Sequence, residues 1–255
     1  MHVPPVGLGF VLLLILAAEF VNGFTDAPNA IATVVSTRVL SPMRAVLMAS
    51  ILNFVGALVA VVLGAKVAGT IGKGIVDPSM VDLTTVGAAM VGIILFSTVA
   101  WWFGLPTSES HALIAGLTGA GLAKAGPQVL VAAGWVKVAK GLVFSTLLGF
   151  TGGLVLMIAI MWLFRGMHRQ RVRGLFGRMQ ILSAAFMAFS HGSNDGQKFM
   201  APFALALWLG GVIPENEVQV WIIVLCAVTM GLGTMFGGWR IIKTMGLRLT
   251  KLEPV

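Results

Sequence analysis

The chain has 255 residues, 58% of them hydrophobic and 10% charged, with a formal net charge of +8 and a mean hydropathy of +0.97. A water-soluble domain carries about 25% charged residues, so a soluble protein of this composition would expose large apolar patches, and a lipid bilayer is the solvent that fits. The positive balance does not call for nucleic acid, because Lys and Arg cluster in short connections between apolar runs, as membrane topology requires.

No Lys or Arg precedes the first apolar run, so it reads as a retained helix and not a cleaved leader. A spanning helix needs roughly 20 apolar residues. The stretches 45–65, 83–103, 141–164 and 218–238 meet that need. Segment 7–37 is long enough but is interrupted by Glu19, Asn22, Asp26, Pro28 and Asn29, and 181–213 is interrupted by the polar run 190–198. The piece 106–123 opens with Pro106-Thr107-Ser108-Glu109-Ser110-His111 and reads as a hairpin or broken helix. The stretch 165–180 reads as a basic cytoplasmic loop. Cys226, the single cysteine, lies in an apolar run and reads as a core residue.

Placing Arg38 and Arg44 in the cytoplasm orients the rest. The spans then put 66–82 outside, Gly104 inside, 124–140 outside, 165–178 inside, and Glu215 and Glu217 outside. Eleven of the seventeen Lys and Arg face the cytoplasm, five lie outside and Lys198 is within the membrane. The opposite orientation inverts that ratio and is rejected. Trp101, Trp102, Trp162 and Trp239 fall near inner ends, and Trp135, Trp208 and Trp221 near outer ones, as an interfacial belt would.

The two interrupted segments resemble each other. Phe20 to Asp26 lies over Phe189 to Asp195, with Phe, Gly and Asp matching at one offset. Each is followed by a cleaner run, 45–65 and 218–238. Then Lys66 to Gly72 lies over Arg240 to Gly246, and Asp77-Pro78 over Glu253-Pro254. The expected architecture is therefore all-α: a polytopic membrane protein with inverted repeats, broken helices and a re-entrant hairpin. The first repeat is 1–164 with the hairpin at 106–123, and 181–255 is a partial second repeat. Equivalents of 83–103, 106–123 and 141–164 do not recur, so the second repeat reads as incomplete.

Two carboxylates, Asp26 and Asp195, fall in mid-span, where an ionised group costs about 2.5–3.5 kcal/mol and needs a compensating partner. A bound cation or a transferable proton would compensate them; capping a half-helix or pairing with Lys198 is the structural alternative. Asn22, Asn29 and Asn194 add amide donors and acceptors around them. Glu19 lies two helical turns before Asp26 and is either a proton-linked carboxylate or a partner for a basic loop. Thr107, Ser108 and Ser110 put hydroxyls and free N–H groups at a helix start, which suits a tetrahedral oxyanion, although plain N-capping is the commoner use. Glu109 beside them fits only if it faces away, is protonated, or holds a cation. His111 and His191 are as lone histidines more often structural. The glycine-rich stretches 149–153 and 231–233 read as helix-packing seams. No nucleophile–base pair or metal-ligand spacing marks an enzyme, and Gly72-Lys73-Gly74 lacks the rest of a phosphate-binding P-loop.

The runs Asn22 to Thr33, Pro106 to His111 and Ser190 to Lys198 resemble the signatures of the inorganic phosphate transporter (PiT) family, in family order and along nearly the whole chain. The resemblance implies secondary uptake of inorganic phosphate across the cell inner (plasma) membrane, coupled to Na+ or H+. The substrate is either free phosphate or a neutral complex with a divalent metal carried along. It also implies an inverted-repeat fold with two re-entrant hairpins. Phosphate positions become Thr107, Ser108, Ser110, Asn29 and Asn194, and coupling-ion positions Asp26, Asp195, Asn22 and Glu109, with no resident metal or cofactor. The usual Asn-Asp pair is Thr25-Asp26 here, and the second hairpin has no counterpart. The expectation is a truncated form that does not transport as a monomer, or a membrane subunit that pairs with a complementary half or forms a homo-oligomer.

Overall fold

Proline has no N–H to donate, so the first long apolar segment cannot continue through Pro28 as one regular helix. The computed structural model describes residues 5–26, 28–62, 74–237 and 239–244. Helix α1 (Pro5–Asp26) and helix α2 (Pro28–Ser36) flank residue 27, which lies outside the described residues. The second interrupted segment does break: α7 (Arg169–Asp195) ends at its aspartate and α8 (Met200–Leu209) follows after a short turn. Helix α3 (Pro42–Val62) follows the first interrupted segment, and α9 (Val220–Phe236) with the short α10 (Trp239–Lys243) follows the second.

Glycines set how these helices meet. Gly192 lies against the backbone of Asn53 and Gly196 against Ala57, while Thr37 Oγ1 donates to Gln180 Oε1 at 2.9 Å. Helices α3 and α7 therefore run side by side in one direction. Gly233 and Gly237 lie against the carbonyls of Phe20 and Phe24, so α1 and α9 also run in one direction. Because α3 returns across the bilayer after α1 and α2, α7 is antiparallel to α1. The contacts exchange with the halves: Gly56 meets Phe189 as Gly233 meets Phe20, and Gly192 meets Asn53 as Gly23 meets Met230. Asn53 thus corresponds to Met230. The matches at 66–72 and at Glu253-Pro254 lie outside the described residues.

The hairpin is larger than 106–123. Helix α4 (Leu83–Trp102) packs along α5 (Glu109–Ala125), and 103–108 is the turn between them. Asp82 caps α4 by accepting from the Thr85 N–H at 2.8 Å and pairs with Lys124 at 2.6 Å, which holds the two open ends together. The Lys124 hydrogen bond, aided by Thr85, lowers the Asp82 carboxyl to about 2. An isolated bridge between Val76 and Leu130 ties the flanking loops on the same side.

Helix α6 (Ala132–Phe164) is longer than the expected 141–164. Its 33 residues span about 50 Å, against about 30 Å of hydrocarbon, so the turns carrying Lys137 and Lys140 extend beyond it. Residues 141–159 are exposed on every side and mostly apolar, a surface for lipid and not for water. The basic stretch 165–180 is helical from Arg169, so the loop shrinks to 165–168. Phe176 packs edge-on to Phe164, and Gly177 rests on Val39, which anchors the added turns. Trp101 also departs from the interfacial belt, since it stacks on Phe24 with ring centroids 4.6 Å apart. Cys226 is fully buried, as expected of a core residue.

Candidate functional site

The two interrupted segments and the hairpin turn converge. Asp26 in the first and Asp195 in the second approach so closely that one carboxylate oxygen of each and a ring nitrogen of His191 lie within 4.8 Å of one another. The turn between α4 and α5 docks on the first segment through Glu109, whose Oε1 lies 2.9 Å from Thr25 Oγ1 and whose Oε2 accepts from Ser97 Oγ at 2.8 Å. Thr25 has a single hydroxyl proton, and the Val21 carbonyl competes for it at 2.8 Å. The Glu109 clasp is therefore satisfied either when Thr25 turns from Val21 or when Glu109 itself carries a proton. Gly104, expected at the cytoplasmic surface, instead belongs to a turn seated against the middle of the first interrupted segment.

Around this junction the polar groups are buried well beyond what a soluble surface would explain. Glu19, Asn22, Asn53 and Glu109 are fully buried, Thr25 is 2% exposed, Lys198 5% and Asp26 6%. Glu19, Asp26, Glu109 and Asp195 act on one another's charge, and Lys198 is the one ammonium among them. Lys198 pairs directly with Asp195, the arrangement weighed as the structural alternative in the sequence. Among the described residues the hydrogen bond to Asp26 comes from the neutral Asn29 amide, at 3.4 Å, and Lys198 and His191 act on it at longer range. Four carboxylates facing one ammonium in a low-dielectric interior favour added cations and disfavour a lone anion. Acceptor oxygens also remain open: Glu19 Oε1, Asn22 Oδ1 and Asn29 Oδ1 are buried with no hydrogen-bond partner among the described residues.

A second layer orients the first. Thr234 donates its hydroxyl proton to the Met230 carbonyl, so its oxygen accepts from Asn53 Nδ2 at 3.0 Å. That fixes the Asn53 amide with its oxygen toward His191 Nδ1, 3.2 Å away. His191 Nδ1 must then be the donor, which leaves Nε2 facing Asp195 Oδ2 at 3.3 Å. Asn53, Ser97 and Thr234 were missed in the sequence. Each is a polar residue in a largely apolar span, and that was the available signal.

The predicted hydroxyl cluster is only partly gathered. Ser108 caps α5 by accepting from the His111 N–H at 3.5 Å, and Thr107 Oγ1 is buried without a partner among the described residues. Both line a cleft of about 440 Å³ with His111, Phe96 and Gly116. Ser110 is half-buried beside Glu109. Asn194 points away from the junction; it is exposed and donates to the Ser190 carbonyl of its own helix.

Antiparallel spans whose buried aspartates meet beside a hairpin turn, one of them broken there, define a polytopic membrane transporter, because unwound backbone and charge are tolerated at membrane depth only where they line a site. A sequence profile described as the phosphate transporter family matches residues 22–255. The chain belongs to that family, a family of transporters and not of enzymes, and is a multi-pass protein of the plasma membrane. It is 43% identical to a probable low-affinity inorganic phosphate transporter of Rhizobium meliloti (strain 1021), covering 97% of this chain and 75% of that one. It is 38% identical to a protein of the same name from Bacillus subtilis (strain 168), covering 96% and 73%. A solved structure titled the sodium-dependent phosphate transporter superposes with a TM-score of 0.80 at 22% identity, over 98% of this chain and 80% of that one. At that identity the likeness is of fold.

Proposed function

We propose that this chain carries out ion-coupled uptake of inorganic phosphate. Asp26, Asp195, Asn22 and Glu109 hold the coupling cation, and Asn29 with Thr107, Ser108 and Ser110 receives the oxyanion. The observation that supports this reading is the meeting of Asp26 and Asp195 next to Thr25, to which the hairpin turn is joined through Glu109. Phosphate entering that negative site alone would be repelled, so cation binding precedes it and coupling follows from electrostatics. The cation is Na+, H+, or a divalent metal that travels with phosphate.

Labelled phosphate uptake into proteoliposomes tests this. Replacing Na+ by choline, and separately collapsing the proton gradient, identifies the ion. Uptake that survives both treatments and also Asp26→Asn would overturn the reading.

A second reading is that the chain works with another polypeptide, either a second copy or a complementary half. The uncovered apolar flank of α4 and the turn after it, where Leu95, Phe96, Val99 and Phe103 are all more than half exposed, offers a face that such a partner would cover in place of lipid. Full uptake by the purified chain at single-copy dilution in liposomes would dismiss this reading.

A further inference from the structure

The elbow between α6 and α7 carries a feature that transport does not use. Leu163, Gly166, Met167, His168, Gln170 and Arg171 line a cleft of about 850 Å³ there. Arg165 lies over the Trp162 ring, 5.5 Å from its centroid, and the Phe164–Phe176 contact fixes the bend. The apolar run of α6 ends at Phe164 and the first charge follows at once, so the cleft sits at the edge of the hydrocarbon, at headgroup depth. One wall is apolar, from Leu163 and Met167. The other is polar, from His168, Gln170 and Arg171.

The charge around it is uncompensated. Residues 110–194 contain no Asp or Glu, and among the described residues no carboxylate pairs with Arg165, Arg171, Arg173 or Arg178, all exposed. The parallel run of α3 and α7 brings Arg38 and Arg44 to the same end of the molecule, which adds to the positive field. His168 Nδ1 accepts from the Gln170 N–H at 3.4 Å, so in the neutral ring the proton sits on Nε2, which is left as a further donor.

We propose that this elbow is a binding site for an anionic phospholipid. Arg165, Arg171 and the His168 Nε2–H hold its phosphate, and Leu163 and Met167 contact the start of its acyl chains. The pairing follows from charge complementarity together with the apolar–polar division of the cleft, which matches the division within a phospholipid.

Native mass spectrometry of the purified chain, titrated with phosphatidylglycerol or phosphatidylcholine, tests it. Retention of phosphatidylglycerol over phosphatidylcholine is expected. Arg171→Gln and Arg165→Gln should each weaken phosphatidylglycerol binding about fivefold, as expected for one basic contact at the surface. Arg44→Gln, at the same end but on another loop, should change it less than twofold, and thermal melting verifies that each variant is folded. Equal retention of the two lipids would overturn the proposal. So would an equal loss in Arg44→Gln, since that reports a diffuse surface potential and not a site. Displacement of the lipid by inorganic phosphate would reassign the cleft to the free anion and equally overturn it.

Discussion

The two interrupted segments share a sequence pattern and a place in the fold, yet their aspartates are compensated differently. Asp195 pairs directly with Lys198 three residues on and faces His191 four residues back. Asp26 has the neutral Asn29 amide at the position corresponding to Lys198, and Lys198 and His191 act on it only at longer range. The difference teaches that a duplicated scaffold need not hold two equivalent sites. The second segment carries its own counter-charge, and the first shares it. Substitutions at the two positions should therefore fail in different ways.

The largest expected effect is on folding at the second break. Asp195→Asn strands the buried Lys198 ammonium, and thermal or denaturant unfolding in detergent should show a loss of about 3–5 kcal/mol. Lys198→Met in the same chain should recover most of it. If Asp195→Asn is as stable as the parent, the internal compensation of that segment is refuted. In the first segment, Asp26→Asn should leave the unfolding midpoint nearly unchanged. It should weaken cation affinity by about 10- to 100-fold, corresponding to about 1.5–3 kcal/mol for one charged contact. Isothermal titration with Na+ separates the two outcomes, and a large stability loss without an affinity change would reverse the assignment.

The hairpin tip offers a smaller test. Glu109→Ala removes the acceptor of Ser97 and the partner of Thr25, both buried, at a cost of about 1–3 kcal/mol. Protease sensitivity near 103–108 should rise with it; an unchanged digest would mean that the clasp does not hold the tip. The smallest effect lies at the open end. Asp82 and Lys124 are about half exposed, so Asp82→Asn should cost less than about 1 kcal/mol at neutral pH. The Asp82 carboxyl is lowered in the fold, so its contribution is full above the ordinary aspartate range near 4 and is lost as pH falls toward about 2. Parent and variant should therefore converge in stability across that window, and a constant gap would count against the pair.

Individual residues show where the sequence was sufficient. Asp26 marked the first junction residue, because a mid-span carboxylate cannot sit in a lipid-spanning helix without partners. Phe189, Gly192 and Asp195 announced its partner. The hairpin was legible from Pro106-Thr107-Ser108, but its extent was not, since α4 is as apolar and as long as a full span. Asn194 shows the reverse: its neighbours belong to the junction, but the turn of α7 points its amide outward. Asn53 and Thr234 carried too little local signal, because what matters in them is a hydrogen-bond partner more than a hundred residues away.

Composition and hydropathy alone determined that this chain lives in a membrane, that it is helical, and that two of its long apolar segments are interrupted at acidic residues. These are local consequences of solvent and of backbone chemistry, and they hold wherever the segments lie. The partners within one turn, Lys198 and His191 for Asp195 and Asn29 for Asp26, are local too. Only the tertiary structure decided that Asp26 meets Asp195 and that Glu109 meets Thr25, because glycine contacts let α7 run along α3 and α9 along α1 and bring together groups that no local pattern connects.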